Sequence, residues 1–98
     1  MLELYQIEDD LHCRNVRQVL SDWEIDYIAR SVPKVTEKRT QLMRISGQAM
    51  VPTLVDSARE VTIAGDEQKI LDYLKQYYKP QGEDATKQPP APDIKGYA

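Results

Sequence analysis

The spacing of apolar residues changes period along the chain, and each change marks a predicted element. Residues 2–7 (Leu-Glu-Leu-Tyr-Gln-Ile) alternate in part, with Leu2 and Leu4 on one side, which predicts a short strand. Glu8, Asp9 and Asp10 follow. Asp9 or Asp10 suits the N-cap of a helix, because a carboxylate accepts from the unpaired N–H groups of the first turn. From Leu11 to Trp23 the spacing becomes three and four. Val16, Val19, Leu20 and Trp23 form one apolar face with Cys13 on the same stripe, while Arg14, Asn15, Arg17, Gln18 and Asp22 fall on the wet side.

Asp26 to Val32 predicts a second strand, ended by Pro33. Thr36 is placed to cap a second helix, Glu37 to Ile45, with Leu42 and Ile45 inward and Ser46-Gly47 closing it. Met50 to Asp56 is an apolar run through Val51-Pro52, and a proline at the head of a strand loses no ladder bond. Val61-Thr62-Ile63 returns as its hairpin partner. Gly65-Asp66 opens a third helix whose expected core face is Ile70, Leu71, Leu74 and Tyr77, with Tyr73 and Tyr78 half-buried beside it. The order β-α-β-α-β-β-α combines a parallel βαβ unit with a hairpin. It predicts an α/β domain with a four-stranded mixed sheet flanked by three helices. After Tyr78 the composition changes. Residues 79–98 hold four of the six prolines and little to bury, which predicts a Pro-rich disordered tail behind a domain over 1–78.

Composition narrows the function classes. A chain of 98 residues, 41% hydrophobic, fits one small domain. No apolar run nears the ~20 residues that cross a bilayer, and Met1-Leu2-Glu3-Leu4 lacks the regions of a signal peptide, so the expected location is the cytoplasm. A net charge of -3 and a pI near 5.1 leave no basic footprint for nucleic acid or a membrane surface. One cysteine and one histidine exclude an internal disulfide, a Cys-x-x-Cys pair and a closed zinc site. His12 and Cys13 stand side by side where the first helix begins, and the positive end of a helix favours a thiolate. Glu8, Asp9 and Asp10 oppose it as like charges. The dipole supplies roughly 0.3–1 kcal/mol, under one pKa unit at about 1.4 kcal/mol. A buried structural thiol is therefore the competing reading of Cys13.

Three segments, in order, resemble glutaredoxins and the N-terminal domain of glutathione S-transferases, members of the thioredoxin-fold superfamily. Cys13-Arg14-Asn15-Val16-Arg17-Gln18-Val19-Leu20 resembles the Cys-Arg-Lys-Val-Arg-x-x-Leu run after the active-site turn. Ser46-Gly47-Gln48 through Val51-Pro52-Thr53-Leu54-Val55-Asp56 resembles the Ser-Gly-x-x-x-Val-Pro-x-Leu-Val-Asp segment. Gly65-Asp66-Glu67 resembles the helix start that holds the γ-glutamyl end of glutathione. The resemblance covers Leu2 to Tyr78. It implies a thioredoxin-like (glutaredoxin-like) fold, a cis bond before Pro52, and glutathione, as co-substrate, held by the Val51 backbone, Pro52, Asp66 and Glu67.

The departures from that pattern bear on chemistry. The family motif is Cys-Pro-x-Cys or Cys-Pro-x-Ser, with the first cysteine as nucleophile. This chain reads Asp10-Leu11-His12-Cys13, so the nucleophile position is Asp10 and the thiol occupies the second, resolving position. Where transferases commonly have Glu-Ser, Asp66-Glu67 adds a carboxylate. The all-helical second domain that supplies the electrophile pocket has no counterpart in the residues after Tyr78. His12 is expected to pair with Asp10 at the surface, and Tyr5, one residue out of register with a transferase tyrosine, to serve packing. Two functions follow from the resemblance. One is a redox domain for glutathione or a thiol/disulfide protein, with Cys13 catalytic in a monothiol cycle of thiol–disulfide exchange. The other is a non-catalytic binding or protein-interaction module on the same fold.

Overall fold

Strand β1 (Leu2–Gln6) is the axis of the fold, and its alternation divides the core in two. The computed structural model describes residues 1–80, so the tail expected over 79–98 lies, from Gln81 on, outside the described residues. β1 pairs in parallel with β2 (Tyr27–Ser31) and antiparallel with β3 (Thr53–Asp56). β3 pairs antiparallel with β4 (Val61–Ala64), giving the order β2-β1-β3-β4. With helices α1 (Leu11–Asp22), α2 (Thr40–Ser46) and α3 (Glu67–Tyr77), this is the thioredoxin-like architecture the element order predicts. Among the described residues no helix is long and apolar enough to cross a membrane.

On one side of the sheet Leu2, Leu4 and Leu54 meet Val16 and Leu20 of α1 and Ile70 and Leu74 of α3. On the other, Tyr5, Val32 and Leu42 gather Ile7, Ile45, Val51 and Val55 around α2. Burying each of these leucines contributes about 1.5–3 kcal/mol. The packing explains why the period-two and period-three-to-four stripes end where they do.

Two helices start on carboxylate caps. Asp10 Oδ2 accepts from the Cys13 N–H at 2.9 Å, and Asp66 Oδ1 accepts from the Lys69 N–H at 3.0 Å. The second helix departs from expectation. Thr36–Lys38 form a separate 3₁₀ turn without a side-chain cap, and α2 begins only at Thr40. Arg39 lies between them in a non-helical conformation. Its guanidinium donates to the carbonyls of Pro33 (2.8 Å), Ala49 (2.7 Å) and Lys34 (2.9 Å), which fixes the break.

β3 begins at Thr53 rather than Met50, because side chains claim the Met50 backbone. Its N–H donates to Gln48 Oε1 (2.8 Å), and its C=O accepts from the Thr53 hydroxyl (2.9 Å). Tyr77 also departs from its expected core position. It is 44% exposed, with the Arg59 guanidinium 4.4 Å from its ring centroid. At the end of β3 away from Pro52, buried Asp56 accepts from the hydroxyls of Tyr73 (2.6 Å) and Tyr78 (2.7 Å) and from Arg59 (3.3 Å).

Candidate functional site

Past the Thr53 end of β3, one loop and two helix starts enclose a groove of about 300 Å³. His12 comes from α1, Met50, Val51 and Pro52 from the loop, and Gly65, Asp66 and Glu67 from the start of α3. All four positions expected to hold glutathione therefore face one space. Cys13 does not line it.

The loop is built by short-range polar contacts. Gly47 closes α2 in the left-handed region (φ 73°), its N–H donating to Met43 O at 2.8 Å. The Gln48 amide then bridges Ser46 Oγ (2.8 Å) and Thr53 Oγ1 (3.2 Å) across the turn. The Val51–Pro52 peptide is cis. Neither the N–H nor the C=O of Val51 has a backbone partner among the described residues. Gly65 brings α3 close. Its N–H donates to Pro52 O (3.0 Å) and to Thr53 Oγ1 (3.2 Å), and its φ of 61° favours glycine. A Cβ there would stand 2.7 Å from Met50 Cβ, so only glycine allows this approach.

Glu67 is the best-connected group of the groove. His12 Nδ1–H donates to Oε1 at 2.6 Å and Asn15 Nδ2 donates to Oε2 at 2.9 Å. The hydrogen bond from His12, then that from Asn15, holds the Glu67 carboxyl below its ordinary value, and the same bond raises the His12 imidazole above its own. The expected surface pair of His12 with Asp10 does not form, because Asp10 is committed to capping α1. The Glu67 contact spans 55 positions, and only the packing of α1 on α3 creates it. Arg17 is likewise not a wet-side bystander. It donates to the Gln6 side chain and, at 2.9 Å, to Glu8 O, holding the turn between β1 and α1.

Cys13 is fully buried on the α1 stripe. Burial pushes its thiol up to about 11, the Asp10 carboxylate adds to the rise, and the Ile7 backbone offsets part of it. With a value near 11, about one molecule in 10⁴ is thiolate at pH 7. Neither thiol nor hydroxyl side chains line the groove. The arrangement offers a free backbone edge at Val51, two carboxylates and an imidazole. Such a set offers hydrogen-bonding partners to an extended, peptide-like ligand, with neither thiol nor hydroxyl beside it. Among the described residues no three His, Cys, Asp or Glu side chains come together as a metal would need.

Known proteins with this fold give the groove a context. A glutathione S-transferase of the bacterium Rhodospirillum rubrum is 29% identical, with a TM-score of 0.65 over 88% of this chain and 39% of that one. A diazinon-metabolizing glutathione S-transferase of the silkworm Bombyx mori is 22% identical (TM-score 0.69, covering 84% of this chain and 43% of that one). Glutaredoxin 2 of Salmonella typhimurium, solved in complex with glutathione, is 18% identical (TM-score 0.68, 99% and 41%). The chain spans less than half the length of each. No curated protein matches it. The family model described as "Glutathione S-transferase, N-terminal domain" matches residues 4–83, from within β1 to beyond α3. On that match, which takes in the whole of the groove, the chain belongs to the glutathione S-transferase N-terminal domain family.

Proposed function

We propose that this domain binds glutathione, or a similar extended thiol peptide, in the groove between His12, Pro52 and Glu67, and performs no thiol–disulfide exchange of its own. One observation carries this reading: the Val51 backbone is left without a backbone partner in the groove while the only thiol lies in the core. An unpaired N–H and C=O beside a proline is a one-residue strand edge, to which the backbone of an extended ligand adds by hydrogen bonding. The start of α3 supplies further N–H groups for a carboxylate. The Salmonella glutaredoxin 2 complex is a property of that protein, and it motivates glutathione as the ligand here. The monothiol redox reading requires Cys13 thiolate to attack a glutathione mixed disulfide. Full burial and a value near 11 weigh against that step.

The test is a titration of ¹⁵N-labelled protein with reduced glutathione and with S-methylglutathione. Saturable shifts at Val51 and Asp66, undiminished in Cys13→Ser, are expected, with no reduction of a glutathione mixed disulfide. Absence of any shift at these residues overturns the proposal. Turnover that disappears in Cys13→Ser replaces it with the redox reading.

A further inference from the structure

Among the described residues a second cavity is larger than the groove. About 470 Å³ opens on the α2 side of the sheet, between β2 and the segment that carries Arg39 into α2, and it shares no lining residue with the groove. That volume is within the ~300–1,000 Å³ range of small-molecule sites. Its floor is apolar: Tyr5, Val32 and Leu42 belong to the α2-side core. Its wall carries three cations, Arg30, Lys38 and Arg39, and no acid, in a chain whose net charge is -3. That concentration of one sign runs against the composition of the whole chain.

Two details turn the cavity into a site. Tyr5 is only 5% exposed, yet among the described residues its hydroxyl has no hydrogen-bond partner and no fully buried side-chain oxygen or nitrogen is left unpaired. The phenol oxygen is therefore not sealed from solvent, and Tyr5 lines the cavity. A hydroxyl without a protein partner beside a cavity is a donor free to meet a ligand's acceptor. The cations are also disposed for an anion. Arg39 Nε, Nη1 and Nη2 all donate to carbonyls, which immobilises its positive charge in the wall. Arg30 gives only Nε to Glu3 (3.0 Å), leaving its terminal N–H groups unpaired among the described residues, and Lys38 has no ion-pair partner there. A guanidinium with a free edge suits a carboxylate.

We propose that this cavity is a second ligand site, separate from the groove, which takes a small aromatic carboxylate. The planar body lies over Tyr5, Val32 and Leu42, and the carboxylate meets Arg30, Lys38 and the Tyr5 hydroxyl. The full chain, ¹⁵N-labelled, is titrated with 2-naphthoate, with 2-naphthamide (the same body without the charge) and with acetate (the charge without the body). Saturable shifts at Val32 and Leu42 are expected for 2-naphthoate, with at least tenfold weaker binding of the other two. Lys38→Gln, an exposed substitution, should weaken 2-naphthoate about tenfold. Tyr5→Phe should weaken it severalfold while leaving the thermal midpoint within a degree or two, since that hydroxyl has no partner to lose. Saturating glutathione should leave the 2-naphthoate affinity unchanged. No saturation at millimolar 2-naphthoate, equal binding of the amide, indifference to Lys38→Gln, or competition by glutathione each overturns the proposal.

Discussion

Cys13 stands three residues past the cap Asp10 and on the buried face of α1, so the helix dipole and desolvation act on the same sulfur. The dipole is worth roughly 0.3–1 kcal/mol. The rise from 9.0 to about 11 corresponds to about 3 kcal/mol in the other direction, so desolvation wins. A thiol raised in the folded state contributes stability that is complete below its unfolded value and lost as pH climbs through the folded one. The window is therefore pH 9 to 11. Cys13→Ala should cost about 1 kcal/mol at pH 7. Measured by urea unfolding, the advantage of the native chain over this variant should shrink from pH 9 and reverse before pH 11, since the linkage loss exceeds the about 1 kcal/mol held at pH 7. Because both chains share the same tyrosines and lysines, the difference isolates the thiol. An advantage constant with pH would mean the sulfur is ionised as easily in the fold as outside it.

Between elements, the contact that shapes the groove is the clip of α1 to α3 through His12, Asn15 and Glu67. The imidazole is raised by its bond to Glu67, so the charged clip is complete below about pH 6.5 and is lost as pH rises through the higher folded value. By NMR, the His12 midpoint should lie above 6.5 and fall back toward it in Glu67→Gln. The same carboxylate sits in the groove where an anionic ligand would approach. Glu67→Ser should tighten glutathione about tenfold, the size of one pKa unit of electrostatic work, as read by the same titration that tests binding. Periodicity alone made the element order legible, and the segments around Cys13, Pro52 and Asp66 pointed to four of the seven residues that line the groove. The clip was not legible. Side-chain choice among Glu8, Asp9, Asp10 and Glu67 depends on which helix starts meet in space, and nothing local to His12 encodes a partner 55 residues away. For the same reason the burial of Cys13 could be placed on a stripe from spacing, but its desolvation follows only from α1 lying on the sheet.

At the scale of the whole molecule, the groove and the opposite end of the sheet are held by different means. The groove end relies on backbone turns and an exposed clip, whereas the far end is tied by one buried carboxylate. Asp56 joins β3 to the end of α3 through Tyr73 and Tyr78, and to the hairpin turn through Arg59 and the Ala58 N–H (3.2 Å). Burial pushes its carboxyl up, but the tyrosine and arginine hydrogen bonds outweigh it and hold the group below its ordinary value. A carboxyl depressed in this way contributes stability that is complete above its unfolded value, near 3.8, and lost as pH falls through the folded one. Asp9 and Glu67 are also lowered, by Lys34 and by His12 and Asn15, but their pairs are exposed and screened. Acid unfolding below about pH 4 should therefore be governed mainly by Asp56. Asp56→Asn keeps the shape but removes the negative charge that accepts four hydrogen bonds, which should cost about 2–3 kcal/mol at pH 7. In a series of urea midpoints from pH 7 to 2, the native chain should fall steeply below pH 4 and the variant much less, so that the two converge. Parallel curves would place the acid-sensitive group elsewhere and leave Asp56 as a contact among others rather than the tie that closes the sheet against α3.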